Sequence, residues 1–216
     1  MDFAQARTAM VESQVRPNDV TDPALIAAFR SIPRENFVPE TSRVAAYAEY
    51  EPEVTAGRRL LSPRDLAKLL QSLEPQADEK ALEIAGGTGY GAAILGRCVR
   101  SVVTLDPSPE LSFAARAALD KSGLANVTAV CTDTKVGWPD AAPYDVIILN
   151  GAAEIVPDAW LAQLAEGGRL GVIVRSGQAG EARIYLKMGG ACAYRVAFDA
   201  SPFLAPGLLR PKAFAF

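Results

Sequence analysis

The residues best placed to do chemistry stand in one stretch, Ala81-Leu82-Glu83-Ile84-Ala85-Gly86-Gly87-Thr88-Gly89-Tyr90. A short apolar run carrying an acid breaks into a glycine-rich turn, and a helix-like segment follows at once. Strand, tight turn and helix in that order hold a nucleotide-like cofactor, because glycines let the backbone reverse sharply and let a ligand come close. Ser101–Asp106 then reads as a second strand ending in an acid, with Pro107 next to it. A carboxylate at Asp106 can accept from both hydroxyls of a ribose. Asp133, beside Thr134, follows a third strand, where an acid can accept from the adenine amine. Asn150 ends a fourth strand and lines the same edge by position. Plainer roles stay open: Asp106 as a helix N-cap, Asp133 and Asn150 as turn residues. Ala85 stands where the dinucleotide pattern has its first glycine, and Gly86-Gly87-Thr88-Gly89 departs from the full spacing. A pyrophosphate cradle is therefore disfavoured. S-adenosylmethionine is the expected cofactor, because its amino-acid end needs only close backbone approach.

The elements that must position these residues alternate from Lys80 onward. Candidate strands are 81–84, 102–105, 127–130, 145–149 and 170–174, with helices at 90–98, 109–122 and 157–164. Such alternation means a doubly wound, parallel α/β sheet. Two further apolar segments, 184–188 and 192–198, meet across Gly189-Gly190 as an antiparallel hairpin and bring the sheet to seven strands. The first third is helical in pattern. Thr21 is the expected N-cap of a helix whose Leu25, Ile26, Phe29 and Ile32 recur at helical spacing. The acidic stretch 47–57 reads as surface loop. Ser62-Pro63 opens another helix, with Leu66, Leu69, Leu70 and Leu73 as its buried stripe. Residues 1–75 thus read as an N-terminal helical extension with a loop, and 76–216 as the cofactor-binding core.

Composition bounds the function. The chain has 216 residues, half of them hydrophobic, enough for one large α/β domain. A net charge of −3 with mixed signs and no basic stripe argues against nucleic acid as a partner. No apolar run approaches membrane-spanning length and no secretory signal is evident, so a cytoplasmic protein acting away from membranes is expected. Cys98, Cys131 and Cys192 sit far apart in apolar segments and read as small buried residues of a reduced compartment. There is no histidine. The commonest general base and the commonest zinc ligand are both missing, and no metal is expected.

Over nearly its whole length the chain resembles the protein-L-isoaspartate O-methyltransferase family. Ile32-Pro33-Arg34-Glu35-Asn36-Phe37-Val38-Pro39 is similar to the family's V-P-R-x-x-F-V-P, and Met10-Val11 stands where its N-terminal helix begins. Leu82 to Tyr90 is similar to L-E-I-G-T-G-S-G-Y. Asp106 stands where the family has its ribose-binding acid, Thr132-Asp133-Thr134 and Gly137-Trp138 correspond to G-D-G and G-W with threonines in place of both glycines around Asp133, and Pro143 to Ile148 resembles P-F-D-A-I-I. The resemblance implies a class I S-adenosylmethionine-dependent methyltransferase, Rossmann-like. It also implies methylation of the free carboxylate of isoaspartyl residues in damaged proteins, by a monomer or weak homo-oligomer. The ester would then collapse to a succinimide and allow repair.

The likeness places the loop of residues 1–75 on the acceptor side, but it fails at the acceptor motif. With Pro39 and Pro63 held in register, the family's T-I-S-x-P reads Arg59-Leu60-Leu61-Ser62-Pro63. A carboxylate acceptor, with a pKa of about 4, needs no proton removed, which suits a site without histidine. Arg59 is the candidate for gripping that carboxylate through its guanidinium fork, against the alternative of a solvated arginine beside Arg58. Ser62 is the candidate hydrogen-bond donor, although helix capping is its favoured role. The altered motif leaves open a paralogue that binds the cofactor with another carboxylate acceptor or without catalysis.

Overall fold

The computed structural model describes residues 2–210. The expected helix at the N-terminus begins at Phe3 rather than Met10, because Asp2 accepts from the Ala4 and Gln5 amides as its N-cap. This α1 (Phe3–Met10) runs into a π-helical turn, Val11–Val15. In α2 (Pro23–Ser31) the cap is Asp22, not Thr21. The Asp22 carboxylate takes the Ala24 and Leu25 amides, while the Thr21 amide donates to Gln71. Leu25, Phe29 and Ile32 are buried as their spacing requires.

Two short strands, β1 (Glu53–Thr55) and β2 (Arg58–Arg59), pair antiparallel where a plain loop was expected. Ser62 caps α3 (Pro63–Leu73) through the Asp65 amide at 3.2 Å, and Leu66, Leu69, Leu70 and Leu73 are buried.

The large sheet contains β3 (Lys80–Ile84), β4 (Ser101–Asp106), β5 (Val127–Cys131), β6 (Tyr144–Ala153), β7 (Leu164–Ser176), β8 (Ala179–Met188) and β9 (Ala191–Asp199). Their order is β5-β4-β3-β6-β7-β8-β9. The first four pairings are parallel and the last two antiparallel. The expected doubly wound, mostly parallel seven-stranded sheet is thus the observed one. Helices α4 (Tyr90–Leu95), α5 (Pro109–Lys121) and α6 (Asp158–Ala162) supply the crossovers. α4 ends three residues before Cys98, and α6 stops at Ala162 because Leu164 already pairs with Tyr144 as strand. α1, α2 and α3 pack into the same core cluster as one face of the sheet, from Met10 and Leu25 through Leu70 to Ile148 and Ile173.

Cys98 is buried and Cys192 half-buried, but Cys131 is exposed at the end of an outer strand; all three are free. No helix among the described residues is long and apolar enough to cross a membrane. Nor do they hold a group of three or more His, Cys, Asp or Glu placed to bind a metal ion.

Candidate active site

The site forms where β3 and β4 end side by side, in register from Lys80 opposite Ser101 to Ile84 opposite Leu105. Chain reversal starts at Ala85, whose φ is +56°, and continues through Gly87 at +60° and Gly89 at +86°. These left-handed residues turn the strand into α4 within one turn of backbone. Beneath the turn lies the Glu83 side chain, fully buried and accepting from the Thr104 hydroxyl at 2.7 Å. It explains two of the glycines by space. A Cβ on Gly86 would stand 2.0 Å from Thr104 Oγ1, and one on Gly91 2.0 Å from Glu83 Oε1. Burial pushes the Glu83 carboxyl up to about 7, opposed by the Thr104 hydroxyl, the Ala92 amide and the Arg58 charge. Oε1 has no partner in hydrogen-bond geometry, although the Ala92 N–H is close enough to favour the charged form.

Asp106 closes β4 and is 2% exposed. Its Oδ1 accepts from the Ser108 amide at 3.0 Å, and its Oδ2 from the Gly87 amide at 3.1 Å. A third donor comes from the neighbouring hairpin. Arg58 Nη2 reaches Asp106 Oδ2 at 2.7 Å and the Ala85 carbonyl at 2.6 Å. Both side chains of this ion pair are almost wholly buried. Removing one partner of such a pair costs about 3–5 kcal/mol, because the other charge is left without compensation. Asn150, also buried, accepts from the Leu61 amide through Oδ1 at 3.1 Å and donates to the Gly86 carbonyl at 3.3 Å. Segment 58–61 therefore ties down at both ends of the turn, and Leu60 and Val54 lie against Gly87.

Tyr90 and Thr88 anchor the turn from the other side. The Thr88 hydroxyl donates to the Phe37 carbonyl at 2.5 Å. The Arg34 guanidinium, fully buried, stacks 4.5 Å from the centre of the Tyr90 ring and donates to the Ala46 and Leu61 carbonyls. Burial raises the Tyr90 phenol and lowers the Arg34 guanidinium from their ordinary values. The two groups couple electrically, yet the Tyr90 hydroxyl and Arg34 Nη1 do not meet as a hydrogen bond.

The other candidates fall as follows. Asp133 is exposed just beyond β5, where its carboxylate takes the Lys135 amide. Thr134 is buried, its carbonyl accepting from the Trp160 indole. Pro107 is exposed beside Asp106. Arg59 is exposed, facing away from the turn on which Arg58 closes, and Ser62 is engaged in capping α3. Arg58 is the residue that sequence reasoning missed, together with Phe203, whose ring lies 5.6 Å from the Arg58 guanidinium carbon. A cavity of about 180 Å³ opens beside Thr88, lined also by Phe37, Val38, Val54, Glu110 and Leu111. A larger groove of about 320 Å³, between the end of α3 and the β8–β9 hairpin, shares none of these residues and lies away from this chemistry.

In kind, the groups at this edge suit a sulfonium nucleoside. An acid ends β4, a left-handed turn presents backbone beside it, and a second acid stands beyond β5. The Asp106 oxygens are at the same time bonded to Arg58, Gly87 and Ser108.

Comparison with known proteins matches residues 5–196 to the family described as Protein-L-isoaspartate(D-aspartate) O-methyltransferase (PCMT). The chain belongs to this family. Isoaspartyl methyltransferases as a family are S-adenosylmethionine-dependent carboxyl O-methyltransferases. A protein-L-isoaspartate O-methyltransferase 2 of Marinobacter nauticus is 37% identical over 169 residues, covering 78% of this chain and 77% of that one. A protein-L-isoaspartate O-methyltransferase of Geobacter metallireducens is 39% identical over 170 residues, 79% of each chain. A solved protein-L-isoaspartate O-methyltransferase superposes with a TM-score of 0.82 at 26% identity, over 93% of this chain and 66% of that longer one. A Plasmodium falciparum structure, described as a beta-aspartate methyltransferase in complex with S-adenosyl-L-homocysteine, shares the fold at 15% identity and a TM-score of 0.81.

Proposed function

We propose that this chain is an S-adenosylmethionine-dependent carboxyl O-methyltransferase acting on isoaspartyl residues of proteins. The observation that carries the reading is the left-handed turn 85–89 set beside the buried acid Asp106 in a chain of this family. When bound, S-adenosylmethionine supplies a methyl group on a positively charged sulfur, open to in-line displacement.

The residues divide the remaining work. Asp106 holds the ribose hydroxyls, with Pro107 beside it, and Asp133 with Thr134 takes the adenine edge. Ala85, Gly86, Gly87, Thr88, Gly89 and Tyr90 bring backbone close to the amino-acid end, and Asn150 fixes the turn from within β6, which runs on to Ala153 rather than ending at this residue. An acceptor carboxylate is ionised at neutral pH, so no side chain has to take a proton. Positioning and exclusion of water then carry the rate, which is consistent with a chain that has no histidine. For the acceptor carboxylate, Arg59 is the remaining candidate, exposed on the hairpin beside Arg58, whereas Ser62 is spent on its cap.

Incubation with labelled S-adenosylmethionine and an isoaspartyl peptide, beside its aspartyl twin, tests the reading. Base-labile label on the isoaspartyl peptide alone is expected. Equal labelling of both peptides, or of neither, contradicts it.

A further inference from the structure

Arg58 stands against the cofactor's sugar site rather than in it. Its guanidinium bonds Oδ2 of the Asp106 carboxylate, the group assigned to the ribose hydroxyls, at 2.7 Å, and also caps the Ala85 carbonyl at the start of the turn. The rest of its hairpin follows it down. Leu60 and Val54 cover Gly87, and the Leu61 amide is bonded to Asn150. The contact is also incomplete. Arg58 is 5% exposed, yet its Nε and Nη1 have no hydrogen-bond partner. Buried donors left unpaired raise the free energy of the closed arrangement and leave it poised to open. The hairpin's own pairing is slight: β1 and β2 have three and two residues, with a bulge between Glu53 and Thr55.

We propose that Arg58 is an internal latch, and that S-adenosylmethionine binds only when Arg58 releases Asp106 and segment 53–61 lifts from the glycine turn. The inference rests on the cofactor reading given above and adds to it a competition inside the chain. A protein that is binding-competent for a fraction of the time shows an affinity reduced by that fraction. Weakening the latch therefore tightens binding without adding a contact to the ligand.

Calorimetric titration of the full chain with S-adenosylhomocysteine tests this. Arg58→Met keeps an unbranched side chain of similar reach beside Phe203 but cannot pair with Asp106. It is expected to bind at least tenfold more tightly than the wild type. Hydrogen exchange on the unmutated protein reads the same event independently of that variant. On saturation with S-adenosylhomocysteine, peptides covering 53–61 are expected to exchange faster and those covering 86–91 more slowly. Wild-type binding with unchanged or weaker affinity in Arg58→Met overturns the latch and leaves the methyltransferase reading standing. Unaltered exchange over 53–61 at saturation does the same, even where the variant fails to fold. Absence of binding in both proteins overturns the latch and the cofactor reading together.

Discussion

Ala85 carries a methyl group into the core at a backbone angle that glycine would adopt without strain. The left-handed conformation costs an L-residue about 1–2 kcal/mol. Removing the methyl forfeits about 0.8 kcal/mol of burial and loosens the unfolded chain by about 0.4–1 kcal/mol. Gain and loss nearly cancel, so Ala85→Gly is expected to shift stability by less than about 0.5 kcal/mol in urea unfolding. Ala92→Gly, equally buried but inside α4, has no strain to relieve and is expected to lose about 2 kcal/mol. A large loss at position 85 would show that its backbone is not strained. The pair Arg58 and Arg59 shows what residue types alone leave open. Successive strand residues face opposite ways, so a slip of one position exchanges the buried arginine for the exposed one. The residues expected at the donor site, Gly86, Gly87, Asp106 and Asn150, do gather at one edge. Which arginine turns inward depends on a hairpin register that no sequence pattern announces.

The strand–turn–helix unit of β3, residues 85–89 and α4 is built around Glu83, and its stability is tied to pH through that side chain. The folded state raises this carboxyl from its ordinary range to about 7, mainly through burial. A raised value means that the folded protein binds the proton more tightly than the unfolded chain. The contribution is therefore fully present below about pH 4.5 and is lost as pH rises through 7. Over that window the loss is on the order of 2–3 kcal/mol. Glu83→Gln keeps the shape and a hydrogen bond to Thr104 but cannot ionise. Its stability relative to the wild type, followed by thermal unfolding from pH 5 to 8, is expected to improve steadily with pH. A pH-independent difference would mean that Glu83 does not titrate in this range. The parallel strands were legible because each is a short apolar run between turn signals. β1 and β2 were not, because polar strands of three and two residues carry no periodicity to read. The Asp22 cap was missed for a related reason: Thr21 and Asp22 are both good caps, and the Thr21 amide is drawn to Gln71 by a contact distant in sequence.

Across the whole molecule, the N-terminal helices and the sheet share one core, which brings segment 53–61 over the carboxyl edge of β3 and β4. The sheet order places Asp106, the turn and Asn150 on neighbouring strands β4, β3 and β6. That arrangement is what the alternation of strands and helices implies, and the family match over residues 5–196 agrees with it. Segment 58–61 is also where the chain folds back on the turn and on Asp106. A crystal structure of the protein grown with S-adenosylhomocysteine would report on the donor site and its latch at once. The expected result is both ribose hydroxyls within hydrogen-bond distance of the Asp106 carboxylate, with Arg58 withdrawn from it. A nucleoside bound elsewhere, with Arg58 still on Asp106, would contradict the assignment of this edge as the methyl-donor site.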